Sequence, residues 1–146
     1  MSAEVVIGLS AVVVAARDGE AVALTVTPRE DGRAPLPGLP FGPFDPEGHR
    51  TFELALRAFV TAQTGFRLGY VEQLYTFGDK GRDAPLADVG AGAARVVSVG
   101  YLALTPEATE TEASDTAWSP LSRFFPWEDW RRGRPAVIDR TIAPAL

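Results

Sequence analysis

The sequence predicts a layered α/β domain, a mixed sheet with helices on both sides. Three observations carry this. Residues 5–14 and 95–104 are two nearly continuous apolar, β-branched runs of the kind found in strands covered on both faces. Between them lies one amphipathic helical pattern closed by Gly65. A chain of 146 residues with 46% apolar residues is enough for one domain with a real core.

The elements follow in order. Residues 5–14 form the first strand, Arg17-Asp18-Gly19-Glu20 is a turn signal, and residues 21–27 form a second apolar strand, so the pair reads as a hairpin. Residues 28–40 hold too many Pro, Gly and charged residues for a regular element and read as a loop. A helix is predicted from near Asp45, with Asp45 as N-cap, Pro46 at the first helical position and Glu47 at the positive end of the dipole. Phe52, Leu56, Phe59 and Val60 make its apolar stripe, Glu53 and Arg57 an i,i+4 pair, and Gly65 a left-handed cap. Residues 67–77 read as a strand, 78–92 as a long loop with a charged tip, and 95–104 as another strand. An acidic exposed stretch over 105–115 precedes Trp118, Phe124, Phe125, Trp127 and Trp130, whose aromatic rings suit a core or a dimer interface. A last helix is expected from Pro135, with Ile138, Ile142 and Leu146 at spacings of four.

Composition narrows the function. The net charge of −5 argues against a generalised electrostatic grip on nucleic acid through this domain. The chain has no cysteine, which removes disulfides, thiolate metal sites and cysteine nucleophiles. His49 is the only histidine, so a multi-histidine zinc site is excluded, and its place near the helix start reads as surface. The N-terminal apolar run is too short to span a bilayer and lacks the features of a signal peptide; a cytoplasmic location is expected. Ser10, Ser98 and Ser119 lack a nucleophile-elbow context, and no Gly-Lys-Ser/Thr follows the glycines of residues 78–92.

Strand, Pro/Gly loop, helix ending in Thr64-Gly65, and strand together resemble the Nudix fold, an α/β/α sandwich. In that family carboxylates three and four apart on one helical face hold divalent ions against a pyrophosphate. Here the acids are missing. Anchoring the family's box on Gly65 puts Phe59, Ala62 and Gln63 at the helical acid positions, with Ala58 at the arginine and Arg50 at the upstream acid. Anchoring on Arg57 puts Ala58, Thr61 and Ala62 there, with His49 upstream. Neither register supplies a metal-binding carboxylate, so no catalytic residue and no metal ligand is assigned.

Residues 72–79, Glu-Gln-Leu-Tyr-Thr-Phe-Gly-Asp, the nearby Arg82-Asp83, and residues 95–104 resemble Nudix-related regulators of NAD metabolism. That resemblance implies a single domain over residues 1–146, the N-terminal part of a longer, homodimeric transcriptional regulator with a winged helix to follow. It implies a sensor of ADP-ribose or a related NAD-derived nucleotide, with no cofactor of its own. Glu72, Tyr75, Phe77, Asp79, Arg82 and Arg95 are the expected ligand-binding residues, in a cleft near the box helix. An aromatic ring beside an arginine suits adenine stacking and phosphate pairing. Glu72 and Arg95, on strands that could be neighbours, could equally form a structural ion pair. Two alternatives stand beside this reading. One is a hydrolase of a nucleoside diphosphate derivative that holds magnesium through Glu47, Glu53, Glu72 and other acids outside the box. The other is a structural or dimerising module.

Overall fold

Strand β1 (Val5–Arg17) is the spine of the fold, and every other part is placed by what pairs with it. The structure, a computed structural model, describes residues 4–27, 36–81 and 95–146. β1 turns through Asp18 (φ 51°) and Gly19 (φ 78°) into β2 (Glu20–Val26), with Arg17 opposite Glu20, so the expected hairpin is formed. On its other edge β1 runs parallel to β5 (Arg95–Thr105) in register from Val5–Arg95 to Ala15–Thr105. β4 (Val71–Phe77) pairs antiparallel with β5, and β6 (Thr116–Pro120) pairs antiparallel with β2. Among the described residues the sheet is six-stranded and mixed, in the order β4-β5-β1-β2-β6, with the short β3 (Phe41–Pro43) also paired to β1.

Alternation along each strand divides the sheet into two faces. Leu9, Ala11, Val13, Leu24, Val99 and Tyr101 point to one side, where helix α1 (Phe52–Thr64) covers them with Ala55, Leu56 and Val60. Leu9, Leu24, Leu56, Val13 and Val60 are fully buried there. Each such side chain contributes about 1.5–3 kcal/mol relative to exposure. Ser10, Val12, Ala23, Thr25, Ser98, Gly100 and Leu102 point to the other side. The long apolar runs therefore split between two environments, and the second face is less covered: Leu104 stays 72% exposed.

Several expectations change. α1 begins at Phe52, capped by Thr51, whose hydroxyl accepts from Leu54 N at 3.1 Å. Asp45, Pro46 and Glu47 form a turn instead: Asp45 Oδ1 accepts from Glu47 N, and the Asp45 carbonyl from His49 N. A Cβ at Gly48 would stand 2.5 Å from Asp45 Oδ2, so this turn needs a glycine there. His49 is half-buried, its Nδ1 accepting from Asp45 N and its ring edge-on to Phe59 at 5.3 Å. Gly65 does close the helix, at φ 71° with its N–H on the Thr61 carbonyl.

The segment before α1 is not all loop, since β3 follows Pro40 directly and Gly38 bridges to Val26. The strand expected over 67–77 starts only at Val71, because Arg57 takes the Leu68 and Gly69 carbonyls at 2.6 and 2.8 Å. Of the three tryptophans only Trp118 is core: it sits on β6, edge-on to Phe66 at 5.6 Å, with Nε1 on the Thr109 carbonyl at 2.8 Å. Trp127 and Trp130 lie outside, after α2 (Leu121–Phe124) and within and after a 3₁₀ turn over Pro126–Glu128. Residues 136–145 are helical with a π turn at Ile138–Ile142, but Ile138 and Ile142 are only half-buried and Leu146 is fully exposed.

Candidate functional site

The helical positions that could hold metal are engaged in packing. Gln63 faces β3: its Oε1 accepts from Phe41 N at 3.0 Å and its Nε2 donates to the Phe41 carbonyl at 2.5 Å. Both polar atoms of the amide are thus spent on the strand backbone. Phe59 lies flat against Gly42, where any Cβ would stand 2.5 Å from the ring. Glu53 is bound by Arg57 at 2.8 Å, and Arg57 is itself held by the Leu68 and Gly69 carbonyls. A divalent ion needs several oxygen donors converging at 2.0–2.6 Å distances typical of such sites, about six in number. An amide already doubly bonded, a phenylalanine and one paired glutamate do not meet that need. Among the described residues, no three of His, Asp and Glu come together as a metal site. The described residues around α1 do not fit magnesium.

The opposite face of the sheet has the shape α1 denies its own side. β5 and β1 lay down a floor of small side chains, with Ser98 beside Gly8 and Gly100 beside Ser10. Aromatic rings rise at both margins. From β3, the Phe41 ring covers Gly8, where a Cβ would meet it at 2.6 Å. From β4, Tyr75 and Phe77 pack together at 4.7 Å, opposite Gly100 and Ser98. Leu74 is the extra residue of a bulge between Gln73 and Tyr75. The bulge resets the alternation so that Glu72, opposite Leu102, shares this face with Tyr75 and Phe77.

Beyond β1 the same face deepens into a cavity of about 250 Å³, walled by Val12, Ala23, Thr25, Gly38, Phe124 and Phe125. Thr25, the polar side chain among these walls, has its hydroxyl 2.9 Å from that of Ser119, a buried pair. Strands are spaced about 4.8 Å apart, so the trough from β4 to β2 is about 14 Å across.

The six predicted ligand-binding residues are distributed as follows. Glu72, Tyr75 and Phe77 share the trough face, while α1 packs on the other. Tyr75 is 61% and Phe77 37% exposed, which leaves their rings accessible. Glu72 and Arg95 form no ion pair: they sit at opposite ends of the β4–β5 ladder. Glu72 accepts from the Tyr70 hydroxyl at 3.0 Å, and that carboxylate holds the Tyr70 pKa above its ordinary value. Arg95 donates twice to the Gly78 carbonyl, at 2.6 and 3.1 Å, and so pins the end of β4 just beyond Phe77. Asp79 is exposed after it. Arg82 lies outside the described residues.

Phe41 and the Thr25–Ser119 pair were not anticipated, and Phe124 was read only as one of the aromatic cluster. Phe41 had a legible signal, an aromatic residue in a Phe-Gly-Pro strand directly after a Pro-rich loop. The hydroxyl pair depends on the β2–β6 register and had none. The pKa of Tyr101, on the α1 face, is also raised, by burial first and by the charge of Glu53 second.

No protein-family model and no curated protein matches the chain. Solved structures do. The Nudix domain of Shewanella oneidensis NrtR, crystallised with ADP-ribose, superposes with a TM-score of 0.68 and 26% identity, over 86% of this chain and 79% of that one. Shewanella oneidensis NrtR in a longer form gives 0.64 and 27%, over 82% of this chain and 53% of that one, and has also been crystallised with a 27mer DNA. A MutT/Nudix protein from Enterococcus faecalis gives 0.62 and 20%, over 82% and 45%. The chain thus spans about half of the longer NrtR structure. The domain described here has the Nudix fold, with its mixed sheet.

Proposed function

We propose that this Nudix-fold domain binds ADP-ribose or a closely related NAD-derived nucleotide without hydrolysing it, as the sensing part of a homodimeric transcriptional regulator of NAD metabolism. The observation that carries the reading is Gln63. In the register that anchors the family's box on Gly65, a position where the box places an acid is here a neutral amide that clamps β3 to α1. The aromatic-rimmed trough on the opposite face supports ligand binding. So does the likeness to a Nudix domain crystallised with ADP-ribose.

In this reading a planar base stacks on the accessible Tyr75–Phe77 pair, an interaction of about 1–3 kcal/mol per base. The sugar and phosphate portion lies over the Ser98 and Ser10 floor. Arg95 positions the end of β4, and Asp79 belongs to the rim beyond it. The acidic net charge makes this domain a poor nucleic-acid binder on its own. Among the described residues no helix is long and apolar enough to cross a membrane.

Titration calorimetry with ADP-ribose, NAD and ATP tests the proposal. Heat with ADP-ribose and an intact nucleotide afterwards support it. No heat with any of the three at millimolar concentration leaves a structural module, and magnesium-dependent turnover makes the domain a hydrolase.

A further inference from the structure

We infer that the trough selects the oxidised, cationic form of a nicotinamide ring, so that the domain reads oxidised NAD in preference to the reduced form. The inference rests on the ligand reading above and names which planar ring of an NAD-derived nucleotide the Tyr75–Phe77 pair favours.

The charge on the trough face carries it. By alternation β5 and β1 contribute only neutral side chains there, from Val96 to Leu104 and from Gly8 to Val14. The arginines at the strand ends, Arg17 and Arg95, fall on the α1 side of that alternation and are bound elsewhere. Arg17 donates to the Ala108 carbonyl and pairs with Glu110, and Arg95 is spent on the Gly78 carbonyl. β4 contributes the two accessible rings and Glu72. Among the described residues, that carboxylate is the one charged group on this face of β4, β5 and β1. Its partner is the neutral Tyr70 hydroxyl, at 3.0 Å, so the negative charge is not offset. Glu72 stands opposite Leu102 and Tyr75 opposite Gly100, which separates them by about 7 Å along the strand.

Two open aromatic faces and a carboxylate with no opposing cation suit a flat cation. An aromatic face attracts positive charge through its quadrupole. The oxidised nicotinamide is a planar pyridinium, bonded through its nitrogen to the ribose and permanently positive. Adenine is neutral, and the reduced nicotinamide is both neutral and no longer aromatic. Neither gains the ring-face attraction or the pull of Glu72. The reduced dinucleotide also brings one more negative charge toward a domain of net charge −5. The two redox forms share everything but this ring, so the difference in their affinities isolates its charge.

The test is titration calorimetry of the full chain with oxidised NAD, reduced NAD and ADP-ribose in one buffer. Oxidised NAD should bind about three- to tenfold tighter than the reduced form, the scale of an accessible cation–π contact with one carboxylate nearby. Glu72→Gln keeps the shape of the side chain and removes its charge. It should narrow that ratio by weakening the oxidised form more than the reduced one, whereas a folding defect would weaken both alike. Tyr75→Leu removes a ring face at a second position and should narrow the ratio too. Equal binding of the two forms by the parent chain, tighter binding of the reduced form, or a ratio that neither variant changes overturns the redox selectivity alone. So does binding of ADP-ribose without either dinucleotide. Absence of heat with all three overturns the ligand reading and the selectivity with it.

Discussion

Replacing Gln63 tests whether this position is a clamp or a vacant metal ligand. Gln63→Ala removes two hydrogen bonds to Phe41, at 3.0 and 2.5 Å, from a part-buried amide. Each is worth about 1 kcal/mol net, so the loss is about 2 kcal/mol. Gln63→Glu keeps the bond from Phe41 N. It turns the second contact into a carboxylate oxygen facing a carbonyl oxygen, which adds repulsion and raises the expected cost to about 2–3 kcal/mol. For a chain of this length a loss of that size lowers Tm by about 4–9 °C, and with an m-value of about 2 kcal/mol/M it moves the urea midpoint by about 1 M. The glutamate penalty should shrink as pH falls, because the protonated carboxyl can again donate to the Phe41 carbonyl. Urea unfolding followed by far-UV circular dichroism, at neutral and acidic pH and with and without millimolar magnesium, reads all of this. A cost below about 0.5 kcal/mol for Gln63→Ala refutes the clamp. Magnesium rescue of Gln63→Glu refutes the claim that the surroundings do not fit a cation.

Further consequences are equally direct. Gly42→Ala drives a methyl into the Phe59 ring and should destabilise by about 1–3 kcal/mol; wild-type stability by calorimetric unfolding would show that Phe59 moves aside freely. Phe77→Ala removes the accessible ring over Gly100 and should weaken ADP-ribose binding by about 5- to 100-fold with little change in Tm, and an unchanged Kd would remove the stacking role. Burial and Glu53 raise the Tyr101 pKa above its unfolded value, so the neutral phenol's stability is fully present below that value and lost as pH rises through the folded one. Tyr101→Phe should therefore flatten the decline in stability above pH ~10; an identical alkaline limb in both proteins contradicts this.

The strands were legible where composition alone suffices. β1 and β5 are long and β-branched, and the Asp18-Gly19 turn announces the hairpin. What the residues could not reveal is which face each strand turns to the helix, because β1 and β5 are apolar at nearly every position. Phe77 and α1 read as neighbours but lie on opposite faces, and the Leu74 bulge that carries Glu72 to the Phe77 face leaves no mark in the pattern. The start of α1 was misread because Asp45-Pro46-Glu47 satisfies the local rules for a cap, while Gly48 and the Asp45–His49 bonds make a closed turn. β6 was hidden by its own aromatic residue: Trp118 reads as one member of a cluster until pairing with Leu24 sets it in the core. That α1 carries no acid besides Glu53, by contrast, could be counted directly, and the structure adds what Gln63 does there.

The most direct test of the central claim is one calorimetric titration of the native chain with ADP-ribose in magnesium buffer, followed by chromatography of the nucleotide recovered from the cell. Saturable binding with ADP-ribose returned intact is the result expected of a sensing Nudix domain. No heat, or recovery of AMP and ribose phosphate, would contradict it.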